Sequence, residues 1–234
     1  MLRAKLFGLL ASIRPWVAAV VVVALLLASC AQARQSAPTP SGTTAARHID
    51  PANIKRVGRE LPPGYEVTAF SGQAVPPAIW GLGGDSASTP ARCAALADPA
   101  GGHGQSAQGI SGSGAGGIVY AVVAAAPSGP VSLDQQLVSQ CSGWTMTSRR
   151  ATARVRLVDA PRIDGAETLG MAADITTSVE GGNQIGSRAN TFTAYLGDYY
   201  AFTTLISDPG SPQSPLMPQF AADLLVKAVS ALRA

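Results

Sequence analysis

Five segments in the C-terminal half have strand character, and the stretches between them are short. They span 144–149, 154–159, 171–180, 191–196 and 199–206. Each is rich in β-branched, aromatic or alternating apolar residues. Strands joined this closely pair antiparallel, because a parallel crossover needs a dozen or more residues. Gly197-Asp198 separates the last two and reads as a tight hairpin. After the meander, Pro215 and Pro218 open a helix that ends near Arg233. Met217, Phe220, Ala221, Leu224, Leu225, Ala228, Val229 and Leu232 recur at three- and four-residue spacing, with Asp223, Lys227 and Ser230 on the other side. Such a helix lies on a sheet. The expected fold class is α+β, an antiparallel sheet with helices packed on one face and a long C-terminal amphipathic helix.

The segments before the meander are less regular. Asp50-Pro51 is an N-cap followed by proline at the first helical position, opening a short helix that should stop at Gly58. A strand is expected over 65–70, a loop over 76–81, and a helix from Thr89-Pro90 to about Ala97. The Gly/Ser-rich stretch 105–117 reads as a flexible loop or a bulged strand entry, and 118–126 as a buried strand. Ser132 with Gln135 resembles a capping box, opening a helix to about Cys141.

The N-terminus reads as an export signal over 1–29. Arg3, Lys5 and Arg14 precede an apolar run of 13 residues, WVAAVVVVALLLA. A bilayer-spanning helix needs about 20 apolar residues, so the run suits a signal h-region. Leu27-Ala28-Ser29-Cys30 is similar to a bacterial lipobox, which makes Cys30 the expected lipidation site. Buried acyl chains contribute about 0.8 kcal/mol per CH2, so two or three of them hold a protein on a membrane. Residues 30–49 are small, polar and Pro/Ser/Thr-rich, a composition suited to a disordered tether. One domain is expected over 50–234.

The chain has three cysteines. With Cys30 lipidated, Cys93 and Cys141 remain, and an exported domain with two cysteines most simply pairs them as a disulfide. The two histidines, His48 and His103, do not complete a zinc site with them, so no metal or other cofactor is expected. Charge excludes a further class. The 17 Lys and Arg fall to 14 without the three N-terminal ones, against 14 Asp and Glu, so the remainder is neutral and lacks the basic excess of a nucleic-acid binder.

Catalytic motifs fail on context. Gly112-Ser113-Gly114-Ala115-Gly116-Gly117 matches GxGxxG, but a strand follows where a dinucleotide site needs a helix. Ser111 and Ser113 lack the GxSxG spacing. Asp159, Asp164, Glu167 and Asp174 are spread over separate segments and read as solvated positions rather than a carboxylate pair. Arg149, Arg150, Arg154 and Arg156 form the basic cluster. On a strand, 150, 154 and 156 would share a face and meet an anionic headgroup or glycan, although a solvated face explains them as well. Tyr65, Trp80 and Trp144 are candidates to line a ligand cleft, with core packing as the competing role.

Two patterns carry a resemblance. PPGYEV at 62–67, Trp80-Gly81, Pro90 with Cys93, and Cys141 with Trp144 form one. AYLGDYYAFTTLISDPG at 194–210 with LLVKAVSALR at 224–233 forms the other. Together they resemble an uncharacterised family of mycobacterial envelope lipoproteins, similar in layout to the extracellular sensor domain of the kinase PknH. The resemblance implies an α+β domain with a surface cleft for a small ligand. It departs from the kinase sensor in one respect: that domain resembles a two-disulfide fold, and this chain can form one disulfide.

The expectation is therefore a non-enzymatic domain, exported and lipid-anchored on the outer face of the cell membrane or in the cell wall. It would bind a small molecule, glycan or envelope partner, and no nucleic acid. A carrier of lipids or glycolipids is the alternative and requires a closed apolar cavity; an open polar cleft favours the binding domain. A hydrolase is the third reading.

Overall fold

A computed structural model of the chain describes residues 48–83, 85–101, 106–207 and 212–234. The export signal, Cys30 and most of the tether lie outside these residues, as do His103 and the Asp208-Pro209-Gly210 turn. The strands are β1 Glu66–Gly72, β2 Ala87–Thr89, β3 Ala107–Gly114, β4 Gly117–Ala125, β5 Gly143–Thr147, β6 Ala151–Val158, β7 Glu167–Ser178, β8 Gln184–Tyr195 and β9 Tyr199–Ser207. They form one antiparallel sheet of nine strands in the order β1-β3-β4-β9-β8-β7-β6-β5-β2. The fold is α+β and dominated by its sheet. The meander from β5 to β9 is as expected, and a second hairpin, β3–β4, attaches to its β9 edge.

Side chains alternate between faces along a strand, so the core clusters show what covers each face. On one face, Phe192 and Ala194 of β8, Ala201 and Leu205 of β9, and Val119, Ala121 and Val123 of β4 are buried. They pack against Ile54 and Val57 of a 3-10 helix, Pro51–Glu60, and against Leu224, Leu225 and Val229 of the C-terminal helix, Pro218–Leu232. On the other face lie Met171, Ala173, Ala189 and Tyr195. They pack against Trp80, Leu82, Cys93, Leu96 and Ala97. These come from the segment 76–97, which holds a short helix Pro76–Ile79, a 3-10 turn Ala91–Cys93 and a short helix Ala94–Ala97. Both faces are therefore covered by helical segments, not one face as expected. The amphipathic pattern of the C-terminal helix reveals one cover; the second cover is too short and irregular to carry a period.

Local signals account for most element ends. Asp50 Oδ1 accepts from the N–H of Ala52 at 3.0 Å, and Pro51 occupies the first helical position. The helix runs past Gly58 to Glu60. Its start is tied to the C-terminal helix: Asp50 N–H donates to the Leu232 carbonyl at 2.9 Å, and Asn53 Nδ2 donates to the Ala234 carbonyl at 3.0 Å. Ile49, expected in the tether, is buried in this core. The helix Gln135–Gln140 is capped by Asp134, whose Oδ1 accepts from Leu137 N–H at 2.9 Å. Ser132 is not the cap, because Gln135 Nε2 is instead bound to Glu167 Oε1 at 3.1 Å.

The Gly-rich stretch, expected as a flexible loop or a bulged strand entry, holds strand β3. Ile110, Gly112 and Gly114 share a face, and the two glycines leave room for Leu61 and Tyr65. A Cβ on Gly114 would sit 2.5 Å from the Tyr65 ring, and one on Gly112 would sit 2.3 Å from Leu61 Cδ1. The repeated glycines thus clear space for side chains, and the match to a dinucleotide motif has no helix after it. Gly114→Ala should destabilise the fold by about 1–3 kcal/mol, the usual cost of overpacking. Chemical denaturation would check this, and an unchanged midpoint would show that Tyr65 yields freely.

Candidate functional site

The C-terminal helix and the 3-10 helix cover only part of their face. They pack on β8, β9, β4 and β3, and the part built from β5, β6 and β7 is left to solvent. Register fixes what is displayed there. Arg154 is opposite Asp174, which is opposite Arg188; Thr152 is opposite Thr176; Ser178 is opposite Gln184. Arg154, Arg156, Asp174 and Arg188 are all exposed. The β5–β6 turn adds Ser148, Arg149 and Arg150. It is held by Ser148 N–H on the Ala151 carbonyl at 2.8 Å and by Ser178 N–H on the Arg150 carbonyl at 2.8 Å.

These groups enclose an open pocket of about 330 Å³. It is lined by Ser148, Arg149, Arg150, Ala151, Thr152, Arg154, Thr176, Ser178 and Gln184. Among the described residues no carboxylate lines it. Glu180 lies in the adjoining β7–β8 loop, and Asp174 is engaged by Arg188, with Nε to Oδ1 at 2.9 Å. Among the described residues no ion pair joins Arg149, Arg150 or Arg154 to an acid. The expected grouping of residues 150, 154 and 156 is modified. Arg154 and Arg156 share the open face through β6, and Arg150 reaches the pocket from the turn.

A second pocket, of about 340 Å³, lies beside the Trp80 segment. Gln73, Ala74, Val75, Pro77, Ala78, Gly83, Ser86, Ala94, Asp98 and Met146 line it. Trp80 itself is in the interior, only 3% exposed, and its Nε1 donates to Thr191 Oγ1 at 3.1 Å. Thr191 in turn shares a 2.9 Å hydrogen bond with Thr204. Trp144 is buried in the same core, and its Nε1 has no hydrogen-bond partner among the described residues. Tyr65 lies over the β3 glycines in the core of the other face. The three aromatics weighed for a cleft thus do not meet in one, and the competing role, core packing, describes both tryptophans. Their burial follows from contacts on facing strands that a linear sequence does not display.

Cys93 and Cys141 form a disulfide, with their Cα atoms 5.8 Å apart. Among the carboxylates considered for chemistry, Glu167 organises a loop: its Oε2 accepts from Leu133 N–H at 3.0 Å. Asp174 is paired with Arg188, and the backbone carbonyl of Asp164 accepts from Arg233 Nη1 at 2.7 Å. His48 is exposed. Among the described residues no group of three His, Cys, Asp or Glu is placed to hold a metal ion, and no helix is long and apolar enough to cross a membrane.

Burial raises the pKa of three tyrosines. Tyr195 and Tyr200 are pushed well above 10, by desolvation first, then by Glu167 for Tyr195 and by Asp98 for Tyr200. Tyr65 is also raised by desolvation, partly opposed by the Gly116 backbone. An unfolded tyrosine loses its proton near pH 10, whereas the buried ones keep theirs. The unfolded state then binds fewer protons, so stability should fall as pH rises above about 10. Tyr200→Phe should flatten that decline in urea titrations between neutral and alkaline pH; an unchanged slope would assign it to other groups.

A sheet-dominated α+β domain with an open, arginine-lined pocket on the uncovered part of one face is the class that these observations define. The chain belongs to the family described as a domain of unknown function, DUF5642, whose model matches residues 50–233. Its fold is similar to the X-ray structure of an uncharacterised protein from Mycobacterium smegmatis, the Rv0999 ortholog. That match has a TM-score of 0.61 and 22% identity, and covers 81% of this chain and 100% of the other. Comparison with curated proteins gave no match.

Proposed function

We propose that this chain is a lipid-anchored, non-enzymatic domain of the mycobacterial cell envelope that binds a small molecule, glycan or envelope partner. The carrying observation is the open polar pocket over β6 and β7, which presents hydroxyls, an amide and guanidinium groups to solvent. Small-ligand sites pair a concave surface with a few convergent polar groups. The anchor part of the proposal rests on the basic segment, the 13-residue apolar run and Cys30. The likeness in layout to the PknH sensor domain, read from the Trp80-Gly81 and Cys141 to Trp144 patterns, belongs to the same reading.

Two measurements test it. Cys30→Ala should abolish acylation and release the protein from membranes, because 13 apolar residues fall short of the roughly 20 needed to span. A variant that still sediments with membranes after alkaline wash would remove the lipid anchor from the proposal. Native mass spectrometry of the protein purified from a mycobacterial host should show a polar ligand. A copurifying acyl lipid would replace the binding domain with a carrier, and turnover of ester, peptide or glycoside substrates would replace it with a hydrolase.

A further inference from the structure

The composition of the pocket narrows the ligand class. Three guanidinium groups, from Arg149, Arg150 and Arg154, border a space of about 330 Å³ that no carboxylate among the described residues lines. Arg154 faces Asp174 across the β6–β7 ladder, yet the Asp174 carboxylate is engaged by Arg188 from the far side at 2.9 Å. The arginines are therefore short of negative charge. Guanidinium forks bind phosphoryl oxygens in paired hydrogen bonds, whereas a lone carboxylate on the ligand would satisfy only one of them. The rest of the rim is neutral and polar: the hydroxyls of Ser148, Thr152, Thr176 and Ser178 and the amide of Gln184. Such groups exchange hydrogen bonds with the hydroxyls of a sugar or polyol.

Resting on the binding-domain reading above, we infer that the ligand of this pocket is a phosphate ester of a sugar or polyol. The phosphate is held by Arg149, Arg150 and Arg154, and the hydroxyls face Thr152, Thr176 and Gln184. That chemistry occurs on a soluble or wall glycan and on a lipid headgroup. The position of the pocket favours the glycan. The described chain begins beside the C-terminal helix, where Asp50 bonds Leu232, and Arg233 there bonds the β6–β7 connection at Asp164 and Gly165. β7 leads away from that connection to the pocket, and Glu167 to Thr176 spans roughly 30 Å at about 3.3 Å per residue. The pocket thus opens at the end of the sheet away from Asp50, near which the described residues begin.

The test titrates the full chain, in detergent micelles, with glucose 1-phosphate and with glucose, and then transfers it to micelles doped with phosphatidylinositol. Glucose 1-phosphate should bind, weaken as salt is raised, and lose about tenfold in affinity in an R150Q/R154Q variant. Glucose should bind far more weakly, and a variant at a distant exposed cation, Lys55→Gln, should match the native chain. Binding to phosphatidylinositol micelles alone would uphold the phosphate site and overturn its assignment to a glycan. Equal binding of glucose and glucose 1-phosphate, unaffected by R150Q/R154Q, would overturn the phosphate inference while leaving a binding domain in place. Failure to bind glucose 1-phosphate, glucose or phosphatidylinositol in a chain that still yields a captured ligand by native mass spectrometry would overturn the inference in the same way.

Discussion

Trp80→Ala should destabilise the domain by about 3–5 kcal/mol, the range for deleting a buried aromatic ring. The ring fills the space between the segment 76–97 and the β7–β8 part of the sheet, packed with Leu82, Leu96 and Met171. Few backbone hydrogen bonds tie that segment to the sheet; the paired part is β2, three residues on β5. Side-chain packing must therefore hold it. The loss also strands a polar group, because Trp80 Nε1 is the donor to Thr191 Oγ1, in a fully buried environment. Thr191 keeps its bond to Thr204, which limits that part of the cost. The comparison with Trp144 separates the two effects. Trp80→Phe loses a hydrogen bond as well as volume. Trp144→Phe loses volume but removes an indole N–H that has no partner, and a buried donor without a partner costs about 1–3 kcal/mol. Trp144→Phe should therefore be milder than Trp80→Phe. Urea denaturation followed by circular dichroism would rank them, and the opposite ranking would contradict the Thr191 bond as a stabilising contact.

The parts of the fold that the sequence displays are those in which one residue type recurs at a fixed spacing. Ala153 and Val155 on β6, and Ile175 on β7, alternate with polar neighbours because one sheet face there is buried and the other is open. The last helix is equally plain, since its buried residues keep to one side. β3 is hidden for the opposite reason. Its glycines carry no strand propensity, and the cause of their presence is Tyr65 and Leu61, which are more than 40 residues earlier in the chain. The short helix Pro76–Ile79 and β2 are too brief to set a pattern. The arginines are visible as a cluster, but not as a pocket. Their grouping depends on the β5–β6 turn bringing Arg149 and Arg150 next to Arg154, and on Arg188 of β8 engaging Asp174 on the adjacent strand β7.

Removing the disulfide should have the other large effect. Cys93 and Cys141 are fully buried, and 48 residues separate them. Closing a loop of that length restricts the unfolded chain by about 4 kcal/mol in the chain-entropy model. The bond joins two weakly held pieces. Cys93 ends a 3-10 turn of three residues, and Cys141 caps the six-residue helix Gln135–Gln140. Both pack around Trp80 and Trp144, so the crosslink and the tryptophan contacts reinforce each other. A Cys93→Ala/Cys141→Ala variant should lose a few kcal/mol and melt roughly 10 °C lower, at the 2–4 °C per kcal/mol expected for a domain of this size. The loss should be uneven. Hydrogen exchange should rise first across 76–97, while β7, β8 and β9, each paired on both sides, keep their protection. In the native protein, thiol titration without reductant should find neither Cys93 nor Cys141 reactive. Two freely alkylated thiols at these positions, or a reduced protein as stable as the oxidised one, would show that side-chain packing alone holds the segment on the sheet.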